Sequence, residues 1–423
     1  MLDIRLVREN PDLVRARLAT RGNGAEAAVD EVLELDRQRR AKIQEVERLK
    51  SARNTISREI GVRKSRKEAA DDLLTGMREK SDLIARLDAE VAAVDGQLEQ
   101  ILLRTPNLPH ARCPAGASAA DNPEVGRYGS PAAFEFKPLD HVALAERLGL
   151  ADFAAAAKIS GSGFLVFTGA GARLERALIN FLLDLHTREH GFTEVNTPFV
   201  VRAAAMQGTG QLPKFHEDMY RVEGEDLFLV PTAEVPVTNL YREELLTVSD
   251  LPVYHAAYTP CFRREAGSAG RETRGMTRVH QFDKIELVKI VEPATSYDEL
   301  EKLRRNAERA LELLGLHYRT IELCAGDLGF GAAKCYDVEV WAPGTGAYLE
   351  VSSCSNCEDF QARRMNLRYK NAEQKNVFCH TLNGSGTALP RLFIALTETY
   401  QQADGNIKLP EVLRPYFGDT IIK

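Results

Sequence analysis

The chain has 423 residues, of which 44% are apolar and 27% charged, a composition typical of a soluble globular protein with about two to three domains. Its net charge of −6 confines any nucleic-acid-binding surface to a local patch, and no apolar run approaches the roughly 20 residues of a membrane span. The seven scattered cysteines do not suggest a disulfide framework and the amino terminus lacks a signal-peptide core, so we predict a cytoplasmic protein.

Residues 30–104 carry the pattern of two long helices. The first is interrupted by Arg39, Lys42 and Arg53, and residues 61–72, with one glycine and four basic residues, separate it from the second. In the second helix, apolar side chains recur on alternating three- and four-residue steps, as in a heptad seam: Leu73, Met77, Ile84, Leu87, Val91, Val94, Leu98 and Ile101. We therefore predict a long antiparallel coiled-coil hairpin with its tip at residues 61–72.

The two predicted helices differ sharply in charge. Residues 37–67 contain twelve Lys and Arg against three Asp and Glu, whereas residues 68–104 contain four against nine. One interpretation is a solvated coiled coil whose helices pair through opposite charges. The other is a basic surface for a phosphate backbone. Charge alone does not decide between them.

The rest of the chain mixes helix and strand patterns. Residues 105–131 contain five prolines and three glycines, so we predict an extended segment and a domain boundary there. Apolar stripes predict helices over residues 172–190 and 389–402. Strand patterns dominate between these helices, at 225–230, 252–262, 279–291, 318–323, 335–341 and 347–353. Successive strands with helices beside them predict an α+β fold with a mainly antiparallel β-sheet.

The passage that spans residues 262–286 has the clearest chemical pattern. It begins Phe262-Arg263-Arg264-Glu265, and a loop rich in glycine and arginine (Arg271, Arg274, Arg278) leads to a second strand. Period-two alternation puts these side chains on one face of their strands: Arg263 and Glu265 on the first strand, and Phe282, Lys284 and Glu286 on the second. Arginines suit phosphates, an aromatic ring suits a base, and carboxylates suit amino groups. The passage therefore predicts a pocket for a nucleotide and a cationic small molecule.

Several segments resemble those of the class II aminoacyl-tRNA synthetases. The run from His190 to Pro198 resembles motif 1 of that class, residues 262–288 resemble motif 2, and the run from Gly384 to Arg391 resembles motif 3. Longer strings narrow the resemblance to the bacterial-type seryl-tRNA synthetases, over essentially the whole chain: residues 209–215, 231–234, 273–278 and 359–364.

This resemblance implies an activity, partners and a domain organisation. The family activates L-serine with ATP to seryl-adenylate and then transfers the serine to the 3′ end of tRNA(Ser); whether tRNA(Sec) is a second RNA substrate stays open. Residues 1–110 would form a tRNA-binding coiled-coil arm, which favours the basic-surface interpretation. Residues 111–423 would form the class II catalytic domain, with Mg²⁺ as the cofactor and a homodimer interface at motif 1.

The resemblance also implies a set of site residues. For ATP it implies contacts from Arg263, Arg264, Glu265, Val279, Phe282, Glu350, Val351, Ser352, Ser353 and Arg391. Of these, Arg263, Arg391 and Glu350 would be catalytic, with Arg263 on the α-phosphate and Arg391 on the γ-phosphate. The Phe282 ring would lie beneath the adenine, whose edge Glu265 and the Val279 backbone would read. For serine it implies contacts from Thr232, Ala233, Glu234, Glu286, Asn383 and Ser385.

Two further expectations concern metals. Glu350 and Ser353 match the segment that holds Mg²⁺ in this family, and hard oxygen ligands suit that ion. These side chains would face opposite ways in an unbroken strand, so we predict that the strand bulges or ends before Ser353. Cys354 and Cys357 form a C-x-x-C pair, but the sequence has no second spaced pair to complete a structural zinc site. We therefore expect no zinc.

The residues alone leave other classes of protein open. A synthetase-like enzyme that charges a carrier protein would be expected to lack the hairpin or its basic side. A non-catalytic coiled-coil RNA-binding protein should have lost Arg263, Glu350 or Arg391, and all three are present. A synthetase for another amino acid is the nearest alternative within the class.

Overall fold

The computed structural model describes residues 1–266 and 275–423, in which the chain divides into two compact units. The smaller unit comprises Leu2–Ala19 and Asn23–Pro106, and the larger one comprises Met1, Thr20–Gly22 and the described part of Asn107–Lys423. Thr273, Arg271 and Arg274, which the sequence patterns singled out, lie outside the described residues. In the two described ranges, no helix is both long and apolar enough to cross a membrane.

The smaller unit is helical. Two short helices, α1 (Ile4–Glu9) and α2 (Pro11–Ala19), precede two long ones, α3 (Ala28–Ser65) and α4 (Asp71–Arg104). The long helices pack against each other as the predicted hairpin, with the turn at residues 66–70. Part of the seam is a cluster of buried side chains, Val46, Leu49 and Ile84.

Opposite charges pair across this hairpin. Ion pairs join α3 to α4 as follows: Arg39 with Asp95, Lys42 with Glu90, and Lys50 with Asp88. Arg39 and Lys42, which interrupt the apolar pattern of α3, are therefore matched by acidic residues of α4. Surface pairs of this kind contribute only about 0–1 kcal/mol each. Arg40, Arg58 and Lys64 are exposed, so α3 also presents basic side chains to solvent.

The larger unit contains the other helices and all the strands named here. Its helices are α5 (His141–Leu148), α6 (Phe153–Ser160), α7 (Gly169–Arg188), α8 (Ala203–Thr209), α9 (Glu234–Asn239), α10 (Ser296–Leu313), α11 (Phe360–Met365), α12 (Leu389–Tyr400) and α13 (Arg414–Phe417). Its strands are β1 (Glu124–Tyr128), β2 (Thr193–Glu194), β3 (Val200–Arg202), β4 (Leu227–Leu229), β5 (Leu245–Thr247), β6 (Val253–Phe262), β7 (Gln281–Val291), β8 (Tyr318–Glu322), β9 (Lys334–Ala342), β10 (Ala347–Asn356), β11 (Arg368–Lys370), β12 (Asn376–Phe378), β13 (His380–Ala388), β14 (Ile407–Lys408) and β15 (Ile421–Ile422).

The main sheet is mainly antiparallel, as predicted. Its strand order is β1-β8-β9-β10-β13-β7-β6-β2, and of these neighbours only β2 and β6 are paired in parallel in the described residues. Helices α7, α10 and α12 pack on the sheet. The apolar stripe of α7 is buried in the core that results: Leu174, Leu178, Phe181, Leu182 and Leu185. Burial of such side chains stabilises the fold by about 1.5–3 kcal/mol each.

Strand β13, which lies between β10 and β7 in the main sheet, was not predicted from the sequence. Gly384 and Gly386, the glycines of motif 3, belong to this strand, which ends immediately before the predicted helix. The small residues are required by close packing. A Cβ added at Gly384 would lie 2.9 Å from Cys354 Sγ, and one at Gly386 would lie 2.7 Å from His186 Nε2.

Other elements were also missed. Strand β1 lies inside the segment predicted to be only extended, and it pairs with β8. Helix α10 follows β7 and was not predicted, although its apolar residues Leu300, Leu303, Ala307 and Leu311 recur on a helical spacing and are buried.

Candidate active site

A cavity of about 370 Å³ opens over β7, β10, β13 and the start of α12. Because β13 lies between β7 and β10, side chains from three neighbouring strands meet there. The predicted site residues that line the cavity are Thr232, Glu234, Arg263, Glu265, Val279, Phe282, Glu286, Glu350, Val351, Ser353, Asn383, Ser385 and Arg391.

Three predicted residues do not line the cavity. The Arg264 backbone N–H donates to the Asp218 carbonyl oxygen. Ala233 is fully buried in a small apolar cluster behind the site. Ser352 is also buried, and its hydroxyl donates to the Ser385 carbonyl oxygen at 2.5 Å. Ala233 and Ser352 therefore lie beneath the site, and Arg264 does not line the cavity.

Strand β7 forms the floor of the cavity, because its side chains alternate between the two faces of the strand. Phe282, Lys284 and Glu286 line the cavity, while Ile285 and Leu287 are buried in the core on the other face. This confirms the predicted division of the strand into two faces. The sequence pattern placed Lys284 on this face without indicating a role for it, although it is one of the most enclosed groups in the site.

Arg263 and Glu265 reach the cavity in a way that strand alternation did not predict. Strand β6 ends at Phe262, and Glu265 has a φ of 52°, so strand alternation does not apply to them. The Arg263 Nε donates to the Pro231 carbonyl oxygen at 3.2 Å, and its guanidinium lies 5.2 Å from the centre of the Phe282 ring. Glu265 forms an ion pair with Arg278. The turn after β6, rather than the strand, directs both side chains inward.

One end of the cavity is a compact polar cluster. The Thr232 hydroxyl donates to Glu286 Oε2 at 2.8 Å and accepts from Lys284 Nζ at 2.9 Å. Lys284 and Glu286 also form an ion pair. All three residues are buried, so their hydrogen bonds are with one another rather than with bulk water. A ligand with an ammonium group and a hydroxyl has matching partners here.

Glu234 lies beside this cluster. Its Oε1 accepts hydrogen bonds from Gln361 Nε2 at 2.6 Å and from Asn383 Nδ2 at 2.9 Å. Burial, followed by the nearby charge of Glu286, raises the pKa of the Glu234 carboxyl from 4.5 to about 7. Desolvation is the larger cause because it penalises the charged form of an enclosed carboxyl.

Arg391, near the start of α12, connects the other side of the cavity to two backbone segments. Its Nη1 donates to the Glu350 carbonyl oxygen at 2.8 Å, and its Nε donates to the Thr277 carbonyl oxygen at 3.2 Å. The guanidinium also lies 3.6 Å from the Glu350 carboxylate. These contacts hold the planar group at the cavity wall, where it can meet a phosphate.

The predicted bulge in β10 is present. Glu350 pairs with Glu339 and Ser352 pairs with Val338, so Val351 is the extra residue on this strand. The bulge turns Glu350 and Ser353 to the same cavity despite their odd spacing. Asp337, on β9, pairs with Ser353 of β10 and hydrogen-bonds the Ser353 side chain. Asp337 was not identified as a site residue from the sequence. Burial, and then Glu350, raise the pKa of Asp337 to about 8.

These oxygen atoms fit a hard divalent cation. Glu350 offers a carboxylate at the cavity wall, Ser353 offers a hydroxyl, and Asp337 offers a second carboxyl behind it. Cys354 and Cys357 are both buried, and burial raises the pKa of both thiols. Within the described ranges, no group of three or more His, Cys, Asp and Glu side chains is arranged to hold a metal ion by itself.

Comparisons with known proteins point to one family. Residues 1–109 match the model of the seryl-tRNA synthetase N-terminal domain, and residues 217–400 match that of the class II core domain of the synthetases for G, H, P, S and T. The serine–tRNA ligase of Akkermansia muciniphila is 59% identical, over 100% of this chain and 99% of its own length. That of Carboxydothermus hydrogenoformans is 56% identical, over 100% of both chains.

Solved structures give the same result. The crystal structure of seryl-tRNA synthetase from Pyrococcus horikoshii complexed with ATP superposes with a TM-score of 0.93 at 41% identity, covering 100% of this chain and 99% of that one. A cytoplasmic serine–tRNA ligase from Naegleria fowleri in complex with AMP gives a TM-score of 0.89 at 31% identity, with the same coverage.

Proposed function

The chain belongs to the seryl-tRNA synthetases, and from that premise we propose that its cavity holds ATP and L-serine side by side for the formation of seryl-adenylate. The cluster of Thr232, Lys284 and Glu286 carries this proposal, because it places a buried ammonium, hydroxyl and carboxylate within reach of a small amino acid. The chain is a serine–tRNA ligase that binds ATP, serine and tRNA, and its residues divide between the two steps of that reaction.

In the first step, an oxygen of the serine carboxylate attacks the α-phosphorus of ATP. The new P–O bond replaces the bond to the leaving pyrophosphate, so no protein base is needed. Arg263 neutralises charge on the α-phosphate, and Arg391 holds the γ-phosphate. The two arginines are fixed by backbone carbonyl oxygens before ATP binds, which reduces the reorganisation that binding requires.

The adenine lies on Phe282, and Glu265 and the Val279 backbone contact its edge. Arg263 lies near the same ring, so base and phosphate groups are held by adjacent side chains. Glu350 and Ser353 would hold Mg²⁺, and Asp337 contacts the Ser353 side chain from behind. When bound, the ion would withdraw charge from the phosphate oxygens.

Serine is recognised by its ammonium and hydroxyl groups. Glu234 and Glu286 accept from them, and Thr232, Asn383 and Ser385 complete the polar wall. Alanine lacks the hydroxyl that this polar wall would bind, and threonine would add a methyl group to an enclosed site. In the second step, a hydroxyl of the 3′-terminal ribose of tRNA attacks the carbonyl carbon of seryl-adenylate, and AMP leaves.

The two parts of the chain have the roles that the family resemblance implies. Residues 1–110 form the arm that binds tRNA(Ser) through the basic side chains of α3, and residues 111–423 form the catalytic domain. tRNA(Sec) is proposed as a second RNA substrate on the family resemblance alone. Motif 1 forms a homodimer interface in this proposal, which the exposed apolar side chains of Phe199 and Val200, directly after motif 1, support. The seven free cysteines fit a reducing, cytoplasmic environment.

The test is ATP–pyrophosphate exchange with each amino acid in turn, followed by charging of tRNA. We expect exchange that depends on serine and charging of tRNA(Ser). Exchange that proceeds without serine, or that prefers threonine or alanine, would overturn the assignment. Serine-dependent exchange without charging of any tRNA would instead favour an enzyme that loads a carrier protein.

A further inference from the structure

Glu398, on α12, is a fully buried carboxylate with an unusually complete set of donors. Its Oε2 accepts from the Gly344 and Thr345 backbone N–H groups at 2.9 and 2.8 Å. Its Oε1 accepts from the Thr345 hydroxyl at 2.7 Å, and from the backbone N–H and ring Nδ1 of His141 at 2.8 and 3.1 Å. A carboxylate held by this many donors is fixed in place.

His141 links this carboxylate to the end of the motif 2 passage. While its Nδ1 faces Glu398, its Nε2 accepts a hydrogen bond of 3.2 Å from the Met276 backbone N–H. The ring can accept at Nε2 only if that nitrogen carries no proton, so Glu398 selects the neutral Nδ1–H tautomer. His141 and Met276 are both almost completely buried, so water does not replace either partner.

The backbone is shaped to fit this ring. Gly275 has a φ of 68°, and a Cβ added there would lie 2.2 Å from His141 Nε2. Gly344, on the opposite side of the carboxylate, also has no room for a side chain, because a Cβ would lie 2.0 Å from the Leu139 carbonyl oxygen. Both glycines therefore allow the backbone to approach the His141–Glu398 pair closely.

The residues that follow Met276 support the ATP end of the cavity. The Thr277 carbonyl oxygen accepts from Arg391 Nε, Arg278 forms an ion pair with Glu265, and Val279 lines the cavity. A displacement of this short segment would therefore move three groups at once. None of these three contacts involves the polar cluster of Thr232, Lys284 and Glu286 at the serine end of the cavity.

We propose that His141 is a positioning residue for ATP binding, held by Glu398 in the tautomer that anchors the backbone at Met276. It touches no substrate and acts through residues 276–279. This inference rests on the proposed assignment of the cavity to ATP. It adds that affinity for ATP depends on one acceptor atom, His141 Nε2, located behind the cavity wall.

Two amide substitutions separate the two sides of the ring. In His141→Gln the longer side chain can present Oε1 near the position of Nε2, so it keeps an acceptor for Met276. In His141→Asn the shorter side chain can keep a donor towards Glu398 but has no atom near Met276. We expect His141→Asn to raise the KM for ATP in pyrophosphate exchange about tenfold, which is about 1.4 kcal/mol or one hydrogen bond. We expect His141→Gln to stay within about threefold of the wild type, and the KM for serine to change in neither variant.

Backbone hydrogen exchange, followed by mass spectrometry on the peptide that contains Met276, provides a second readout. His141→Asn should exchange faster there, and His141→Gln should match the wild type. If His141→Asn does not fold, His141→Gln alone decides: a threefold or larger rise in the KM for ATP overturns the proposal, and a value near the wild type with normal protection at Met276 supports it.

Other outcomes also count against the proposal. Equal losses in both variants, or a matching rise in the KM for serine, would mean that His141 only fills space. No change in either variant would mean that Met276 needs no acceptor. These results are separate from failure of the proposed function, which would appear as wild-type protein without serine-dependent exchange.

Discussion

The Thr232 hydroxyl donates a hydrogen bond of 2.8 Å to the Glu286 carboxylate. Glu286 is buried, with only 2% of its surface exposed. Lys284 contacts both residues, so the three groups are mutually satisfied before serine binds. In the proposed site, serine would therefore compete with an existing network. The carboxylate of Glu286 is the member that can accept from the ligand ammonium or hydroxyl without losing its other partners.

Glu286→Gln should lower kcat/KM for serine in pyrophosphate exchange by about 100-fold, because it replaces a charge-assisted hydrogen bond with a neutral one in an enclosed site. The KM for ATP should stay within about threefold of the wild type. Glu339→Gln is a matched control, since Glu339 lies on β9 and pairs with Arg319 rather than lining the cavity. An equal loss in the control, or a loss confined to ATP, would contradict the assigned role.

Glu234 gives a prediction about pH. Its folded pKa of about 7 lies above the ordinary 4.5, so in the ligand-free enzyme the carboxyl is protonated below pH 7 and ionised above it. The ammonium of serine favours the ionised form. The KM for serine should therefore fall as the pH rises from about 6 to 8, and serine binding near pH 6 should release a proton.

The same shift has a consequence for stability. Because burial raises the folded pKa, the contribution of Glu234 to the free energy of unfolding is fully present below pH 4.5 and is lost as the pH rises through about 7. Glu234→Gln, which cannot ionise, should flatten both the serine profile and this part of the stability profile. Calorimetry in two buffers with different ionisation enthalpies measures the released proton. A serine profile that keeps its slope in Glu234→Gln would assign the titration to another group.

The bulge in β10 allows a prediction about Mg²⁺. Ser353→Ala removes the hydroxyl that the bulge turns into the cavity, and it should raise the Mg²⁺ concentration needed for half-maximal exchange about tenfold. Asp337→Asn should act in the same direction and more weakly, because Asp337 contacts Ser353 from behind. Ser355→Ala is the control: it lies two residues along the same strand, and its hydroxyl donates to Cys335 Sγ outside the cavity. A Mg²⁺ dependence that Ser353→Ala leaves unchanged would remove Ser353 from the metal site.

The sequence predicted those features that depend on a regular period. The heptad spacing of α4 located the hairpin, and alternation along β7 separated Phe282, Lys284 and Glu286 from the core. The bulge was predicted from a conflict between that period and the spacing of Glu350 and Ser353. For the hairpin and for β7, a repeat that depends only on local backbone geometry was enough, whereas the bulge also needed the family resemblance, which assigns both side chains to the metal.

The features that were missed depend on tertiary contacts. Strand β13 contains Asn383, Gly384, Ser385 and Gly386, residue types that are uncommon in strands, and only close packing by its neighbours makes them suitable. Asp337 entered the site as a partner across the sheet, which no local pattern reveals. The positions of Arg263 and Glu265 depend on a turn whose positive φ at Glu265 was unpredicted, because glycine and asparagine are the usual residues there.

The two functions of the chain should be separable at the hairpin. Leu35 and Ile101 line one groove between α3 and α4, so the hairpin can be shortened there and closed with a short glycine-serine linker. Deletion of residues 35–100 should leave serine-dependent exchange within about twofold of the wild type, since the cavity is built from residues 211–391. Charging of tRNA should be lost. Loss of exchange together with charging would show that the hairpin is needed for the fold of the catalytic unit.

A charge-reversal variant tests the basic surface without shortening the chain. Arg40, Arg58 and Lys64 are exposed on α3, and changing all three to Glu should raise the KM for tRNA at least tenfold while the KM values for ATP and serine stay constant. The exposed acidic residues Glu68 and Glu79, changed to Lys, are the control and should not weaken tRNA binding. Raising the salt concentration should reduce the difference between the wild type and the triple variant, because the lost contacts are with phosphates. A triple variant that charges tRNA normally would contradict a role for these three side chains in tRNA binding.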